Sequence, residues 1–302
     1  MSVPVAYIGV VLIWSTTPLA IKWSGEGPGF LFGVAARMWL GAMVCTLLLA
    51  LLSRGLPLHR DAIKSYLAGG VGVFGAMTSV YWGAQYIPSG LISVLFGLNP
   101  IVTGVMAVLW LQERALTWNK LGGIVLALVG LVVVFARGLQ LGEEAGYGIA
   151  AVLLAVCLHS LSMVLVKKID AHLSALESTS GALLVAAPCY LLVWLLFDGQ
   201  WPAQISTRAA GSIVYLALFG SVLGFVMFFY VLKQIDASRV ALVTLMTPVL
   251  ALLFGQVFNN EQISFELYMG AALILLGMSV YQWGPIIQRY FRNRTADDLS
   301  QR

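Results

Sequence analysis

The stretch Ile87-Pro-Ser-Gly-Leu-Ile-Ser-Val-Leu-Phe-Gly-Leu-Asn-Pro100 returns 148 residues later as Ile235-Asp-Ala-Ser-Arg-Val-Ala-Leu-Val-Thr-Leu-Met-Thr-Pro248. The same register carries Glu113 onto Glu261 and Gly122 onto Gly270 without a gap. Nearer the N-terminus the offset is 145: Val11-Leu-Ile-Trp-Ser-Thr-Thr-Pro18 faces Val156-Cys-Leu-His-Ser-Leu-Ser-Met163, and Lys22 faces Lys167. A difference of three residues in the intervening loops accounts for the change of offset. A repeat of this length fixes the architecture before any local motif does. The chain is expected to consist of one unit over residues 4–136, a second over 145–285, and a basic, cytoplasmic tail over 286–302.

Working outward from the repeat, each unit resolves into five apolar stretches. They are Pro4 to Trp23, Gly29 to Leu52, Tyr66 to Ile87, Gly90 to Leu111 and Leu121 to Phe135, then Tyr147 to Val166, Leu176 to Phe197, Ile213 to Leu232, Val240 to Phe258 and Leu267 to Trp283. The composition agrees: 60% of the 302 residues are hydrophobic, 10% are charged, and the mean hydropathy is +0.91. A soluble domain carries about a quarter charged residues, so a cytosolic enzyme is excluded. In lipid only a helix satisfies its own backbone over such lengths, which predicts an all-α membrane protein of ten transmembrane helices. The first stretch is expected to be a span, since no basic segment precedes it and no A-x-A cleavage site follows.

Lysine and arginine set the orientation. With the N-terminus inside, 13 of them fall on cytoplasmic segments and three, Lys22, Arg137 and Arg208, on outer ones, while Arg37 lies inside a span. Both termini are therefore expected in the cytoplasm. An odd number of crossings per unit then mounts the second unit upside down, giving inverted repeats. That arrangement belongs to secondary carriers, which open one central site first to one face and then to the other.

The residues also carry a resemblance. Tyr81-Trp-Gly-Ala-Gln-Tyr-Ile-Pro-Ser-Gly90, Leu98-Asn-Pro100, Leu111-Gln-Glu-Arg114, Leu121-Gly-Gly123 and Val129-Gly130 together resemble the EamA domain of the drug/metabolite transporter superfamily. The second copy, from Tyr230 through Thr247-Pro248 and Asn260-Glu261 to Gly270, is similar, as are Trp14-Ser15 and Arg37. The resemblance implies a multi-pass exporter of small metabolites in a bacterial inner membrane, most like the exporters of neutral and aromatic amino acids. It departs from the pattern at His159, which stands where the first copy has Trp14, and at Asn259-Asn260, where small apolar residues are expected.

Every acidic residue of the chain falls at a loop or a span end. Proton- and cation-coupled carriers place carboxylates at membrane depth, so export is expected to be uncoupled, or coupled at most through His159, whose ordinary pKa of ~6.5 lies near neutrality. His159, beside Ser160, Ser162 and Met163, reads first as an interhelical hydrogen-bonding residue and second as a substrate contact. Arg37 is expected to be structural, with carbonyl or hydroxyl partners. Thr78, Trp82 and Gln85 share a helical face with Tyr81 adjacent, and Phe225, Phe228, Phe229 and Tyr230 cluster on the eighth span. Aromatic walls with a few hydroxyls suit a ligand with a large apolar side chain. The candidate substrate-binding residues are therefore Trp14, Ser15, Thr78, Tyr81, Trp82, Asn99, His159, Ser162, Met163, Phe225, Phe229 and Thr247. Pro100 and Pro248, each about ten residues into a span, remove a backbone donor and are the candidate hinges.

Other chemistry is not supported. Gly69, Gly70, Gly72 and Gly75 lack the G-K-[ST] ending of a phosphate loop and suit close helix contact instead. Cys45, Cys157 and Cys189 offer neither a disulfide framework nor a metal spacing. The dispersed basic residues form no nucleic-acid groove. Glu113 and Glu261, on opposite faces, are expected to have local partners. The expected partners are a small-molecule substrate and the lipid bilayer, with no nucleic acid, no obligate protein partner, no cofactor and no metal. The alternatives to amino-acid export are efflux of lipophilic cations or drugs and, further off, a scaffold or receptor that moves nothing. If the prolines are hinges, Pro100→Ala and Pro248→Ala will each slow transport more than they lower expression; unchanged flux at normal expression excludes the hinge.

Overall fold

A computed structural model describes residues 2–111, 118–138, 143–234 and 237–300. Its described residues are helical throughout apart from turns and short links: α1 (Val3–Gly25), α2 (Phe30–Leu51), α3 (Arg60–Gly83), α4 (Ser89–Phe96), α5 (Asn99–Leu111), α6 (Trp118–Gly138), α7 (Glu143–Ile169), α8 (Ala175–Phe197), α9 (Thr207–Tyr215), α10 (Gly224–Gln234), α11 (Ala237–Asn259) and α12 (Phe265–Ser300). A π-helical segment, Leu216–Leu223, joins α9 to α10. Because α4 and α5 form one interrupted rod, and α9, the π segment and α10 another, the elements make ten rods, in the order the apolar stretches predict. Among the described residues, six helical stretches are long and apolar enough to cross a bilayer, and three shorter apolar ones accompany them. The tenth rod, α3, has its hydropathy diluted by glycines. The basic C-terminal segment continues α12 as far as Ser300.

Helix ends are closed by side chains that the local sequence supplies. Ser174 and Glu177 form a reciprocal capping box at α8, Ser206 accepts from the Ala209 N–H at α9, and His59 accepts from the Ala62 N–H at α3. Asn260 adopts a left-handed backbone with φ of 49° at the turn out of α11, a conformation that asparagine tolerates better than most residues. Large apolar side chains such as Leu47, Leu109, Val132, Leu192 and Val257 cover the outside, as lipid contact requires.

Inside, helices approach through glycine. Without a hydrophobic force between helices in lipid, close backbone contact is what holds them. A Cβ on Gly123 would stand 2.6 Å from the Gly277 carbonyl oxygen, and one on Gly130 2.7 Å from that of Gly270. Residue numbers rise along α6 as they fall along α12, so the final helices of the two copies run antiparallel. The glycines of α3 behave alike: Gly72 lies under Ser162 of α7 and Gly70 under Val185 of α8. Contacts between copies predominate and come in matched sets. Helix α3 packs on α7 as α1 packs on α9 and α10, and α5 packs on α7 as α1 packs on α11.

These contacts separate neighbouring glycines. Gly123→Ala would push a methyl to 2.5 Å from the Tyr281 backbone nitrogen, whereas Gly122 has nothing within 4 Å. Thermal unfolding in detergent should show Gly123→Ala destabilised by about 1–3 kcal/mol and Gly122→Ala within about 0.5 kcal/mol of the parent; equal midpoints would contradict the close contact.

Candidate functional site

Three groups of side chains occupy the middle of the rods. The first surrounds Arg37, the eighth residue of α2, which is 2% exposed. Its Nε donates to Ser221 Oγ of the π segment at 2.9 Å and its Nη1 to the Tyr81 hydroxyl of α3 at 3.4 Å. The π turn closes with the Gly224 N–H donating to the Phe219 carbonyl, and such turns are often found at functional positions. Beside it Thr16 and Tyr215 join α1 to α9 through a 2.6 Å hydroxyl–hydroxyl bond. Hydroxyl partners for Arg37 are what its sequence position led one to expect.

The second group lies where the fourth rod breaks. Helix α4 ends at Phe96 and α5 begins at Asn99, with the Leu98 carbonyl accepting from both Ile101 and Val102. Asn99 Nδ2 lies 3.1 Å from His159 Nδ1, Ser160 Oγ donates to Asn99 Oδ1 at 2.6 Å, and Thr103 Oγ1 donates to Ser160 Oγ at 3.0 Å. The His159 ring stands edge-on to Phe96. His159 thus makes an interhelical hydrogen bond.

The third group is aromatic. Trp14 of α1 packs against Phe228, with ring centroids 4.9 Å apart, and edge-on against Phe225 at 6.0 Å. Its indole nitrogen would lie 2.9 Å from a Cβ on Gly224, so this glycine gives the ring its place. By the 145-residue register, Trp14 and His159 are counterparts. Duplication has therefore left one aromatic wing and one polar wing.

The remaining expected residues divide. Tyr81 joins the Arg37 group, while Trp82 lies on the exposed side of α3 and stacks edge-on against Tyr86, and Gln85 is exposed in the turn that follows α3. Ser15 Oγ donates to the Val11 carbonyl and Thr78 Oγ1 to that of Phe74, each one turn back in its own helix. Ser162 Oγ donates to the Ala68 carbonyl and ties α7 to α3. Met163 is half-buried in α7, Thr247 is buried in α11, and the Phe229 side chain lies outside the described residues, as does Glu113. The two prolines differ. Pro100 follows a break, whereas α11 runs unbroken through Pro248. The residues before them explain this: Gly97 is a weak helix former and has Leu245 as its counterpart.

Glu261 departs from expectation, because its partners are mostly remote rather than local. Its carboxylate accepts from the Ser89 N–H at 2.9 Å and from Ser89 Oγ at 3.0 Å, capping α4 from the other copy. Pro88 precedes that helix and offers no cap, and the exposed N–H groups of a helix start attract a carboxylate. Lys22 lies 3.6 Å away and Asn259 Nδ2 donates at 3.0 Å, while Asn259 Oδ1 accepts from the Trp23 indole N–H. Arg208 pairs with Glu26 nearby. Ser89, Ser221, Thr103 and Tyr215 are not among the candidates the sequence singles out; for the last three the signal is a lone hydroxyl within an apolar run.

The family follows from this architecture and from comparison. The EamA-like transporter family matches the chain twice, over residues 2–136 and 146–281, and the chain belongs to that family. An uncharacterized transporter of Bacillus subtilis, YoaV, is 30% identical over 284 residues, covering 92% of this chain and 96% of that protein. A probable terminal-alkyne amino-acid exporter of Streptantibioticus cattleyicolor is 25% identical over 90% of this chain and 91% of its own. An S-adenosylmethionine/S-adenosylhomocysteine transporter of Chlamydia muridarum is 24% identical over 88% and 86%. One solved crystal structure superposes with a TM-score of 0.66 over 93% of this chain and 97% of its own, at 23% identity, and shares the fold. The protein is a multi-pass membrane transporter.

The Glu261 cluster yields a direct check. Glu261→Ala leaves the α4 start without its acceptor and Lys22 with the Ile87 carbonyl, and stability against thermal unfolding should fall by about 1–3 kcal/mol. Lys22→Met, at a 30% exposed side chain, should cost no more than about 1 kcal/mol. The reverse order would mean that the ion pair, rather than the cap, holds α4.

Proposed function

We propose that the protein exports neutral and aromatic amino acids from the bacterial cytoplasm across the inner membrane, by alternating access and without ion coupling. The observation that carries this reading is the make-up of the buried polar layer: hydroxyls, an amide, an imidazole and one guanidinium, with no carboxylate at mid-depth among the described residues. A zwitterion with an apolar side chain fits such a layer. The aromatic wing around Trp14 offers stacking area, and the polar wing around His159 and Asn99 offers hydrogen bonds.

The relatives support the same class. One is named for amino-acid export and another for S-adenosylmethionine, which is itself an α-amino acid. Efflux of lipophilic cations is the second reading. It is disfavoured because a buried acid normally receives such a cation, while the ionised group here is itself positive. Transport rather than catalysis accords with the family and with the relatives' names.

Inverted mounting of the two copies supports alternating access. The antiparallel α6–α12 contact is the arrangement such mounting requires. With both termini in the cytoplasm, the Glu261 cluster, Lys22 and the Arg208–Glu26 pair all fall on the outer face.

Reconstituted liposomes test this. Labelled phenylalanine and leucine should equilibrate across the bilayer, tetraphenylphosphonium should not, and a pH gradient imposed with the voltage clamped should produce no accumulation. Gradient-driven accumulation would overturn the uncoupled mechanism, and movement of the cation alone would overturn the substrate class.

A further inference from the structure

Arg37 holds a charge at a depth where charge is costly. It lies ~11 Å along α2 from Phe30, and among the described residues no carboxylate is within ion-pair reach. A buried guanidinium without a counter-ion is destabilising by several kcal/mol, and neutral hydroxyls offset only part of that. Of its N–H donors, only Nε and one on Nη1 have partners among the described residues. Nη2 has none there and points along Gly220: a Cβ at that position would stand 3.3 Å from Nη2 and 3.6 Å from Thr17 Oγ1. A glycine in the π segment thus keeps a side chain away from this end of the buried guanidinium.

From this geometry we infer that Arg37 is the seat of the substrate carboxylate, and that the carrier selects solutes bearing one carboxylate group. The inference rests on the amino-acid reading above and sharpens it. The planar Nη1–Nη2 edge matches a carboxylate in a two-bond fork. Tyr81 and Ser221 come from two different elements, α3 and the π segment, and their hydroxyls, which accept from Arg37, can donate to the same oxygens, whereas Thr17 Oγ1 already donates to the Ile13 carbonyl. A phosphate ester would bring a second negative charge that this single cation does not balance, and a lipophilic cation would be repelled. Seating the carboxylate supplies the missing counter-ion, so binding would draw α2, α3 and the π segment onto one group.

The test uses two half-substrates on the whole protein: 3-phenylpropionate, which lacks the amine, and phenethylamine, which lacks the carboxylate. 3-Phenylpropionate should compete with labelled phenylalanine in liposomes and raise the thermal midpoint in detergent, while phenethylamine should do neither. Arg37→Lys keeps the charge and loses the fork; Gly220→Ala keeps the arginine and crowds Nη2. Each should weaken 3-phenylpropionate by about tenfold or more, with a monodisperse, cooperatively melting protein as the check on folding. Equal competition by phenethylamine, or unchanged 3-phenylpropionate affinity in a folded Gly220→Ala protein, would overturn the seat. If phenylalanine crosses but 3-phenylpropionate does not bind, the seat fails and amino-acid export stands. If 3-phenylpropionate binds through Arg37 but no amino acid crosses, the seat stands and the export reading fails.

Discussion

The structure depends on backbone meeting backbone where α6 crosses α12. Gly123 faces Gly277 and Gly130 faces Gly270, each without room for a Cβ. In water a helix pair is driven together by its apolar faces, but a hydrocarbon solvent removes that force and leaves packing and hydrogen bonds. Glycine is therefore the means of adhesion, at the junction of the copies and again along α3. The antiparallel direction of that contact makes each copy the other's packing partner: α3 is completed by α7 and α8, and α1 by α9, α10 and α11.

Duplication supplies two similar frames, and substitution has made them unequal. Trp14 in one copy and His159 in the other occupy matching positions with opposite chemistry. The fourth rod breaks at Gly97 and Leu98, freeing Asn99 to join His159, Ser160 and Thr103. In α11 the matching Leu245 and Met246 keep the helix continuous through Pro248. The two asparagines after the second copy's fourth rod have physical reasons as well: Asn260 takes the left-handed turn, and Asn259 links Trp23 to Glu261. The Glu261 cluster at the rod ends and an interior layer are thus joined through rods that carry both.

Much of this was legible in the sequence because bilayer thickness and the cost of unpaired backbone groups leave few solutions. Ten rods, the tight Gln85 to Ser89 link and the contact role of the α3 glycines follow from those constraints. Less legible was anything decided by which neighbour a face meets. Periodicity favours Ser162 over Ser160 as a companion of His159, yet α7 is gripped on adjacent sides by α3 and α5, so Ser160 reaches Asn99 while Ser162 turns to Ala68. Trp82 shares a helical face with Thr78, but that face is partly exposed and the buried ring is Tyr81. The remote cap of α4 by Glu261 could not be read at all, since sequence spacing reports nothing about a partner 172 residues away.

The central claim is that two inverted halves exchange conformations around a carboxylate-accepting centre. Paired spin labels on the face that carries Glu261, at Gln85 and Gln262, and on the opposite face, at Ser2 and Lys168, measure it directly. The account predicts two distance populations on each face, with the Gln85–Gln262 pair separating as the Ser2–Lys168 pair approaches when phenylalanine is added. Distances that stay single-valued on both faces, or that lengthen on both together, would contradict it.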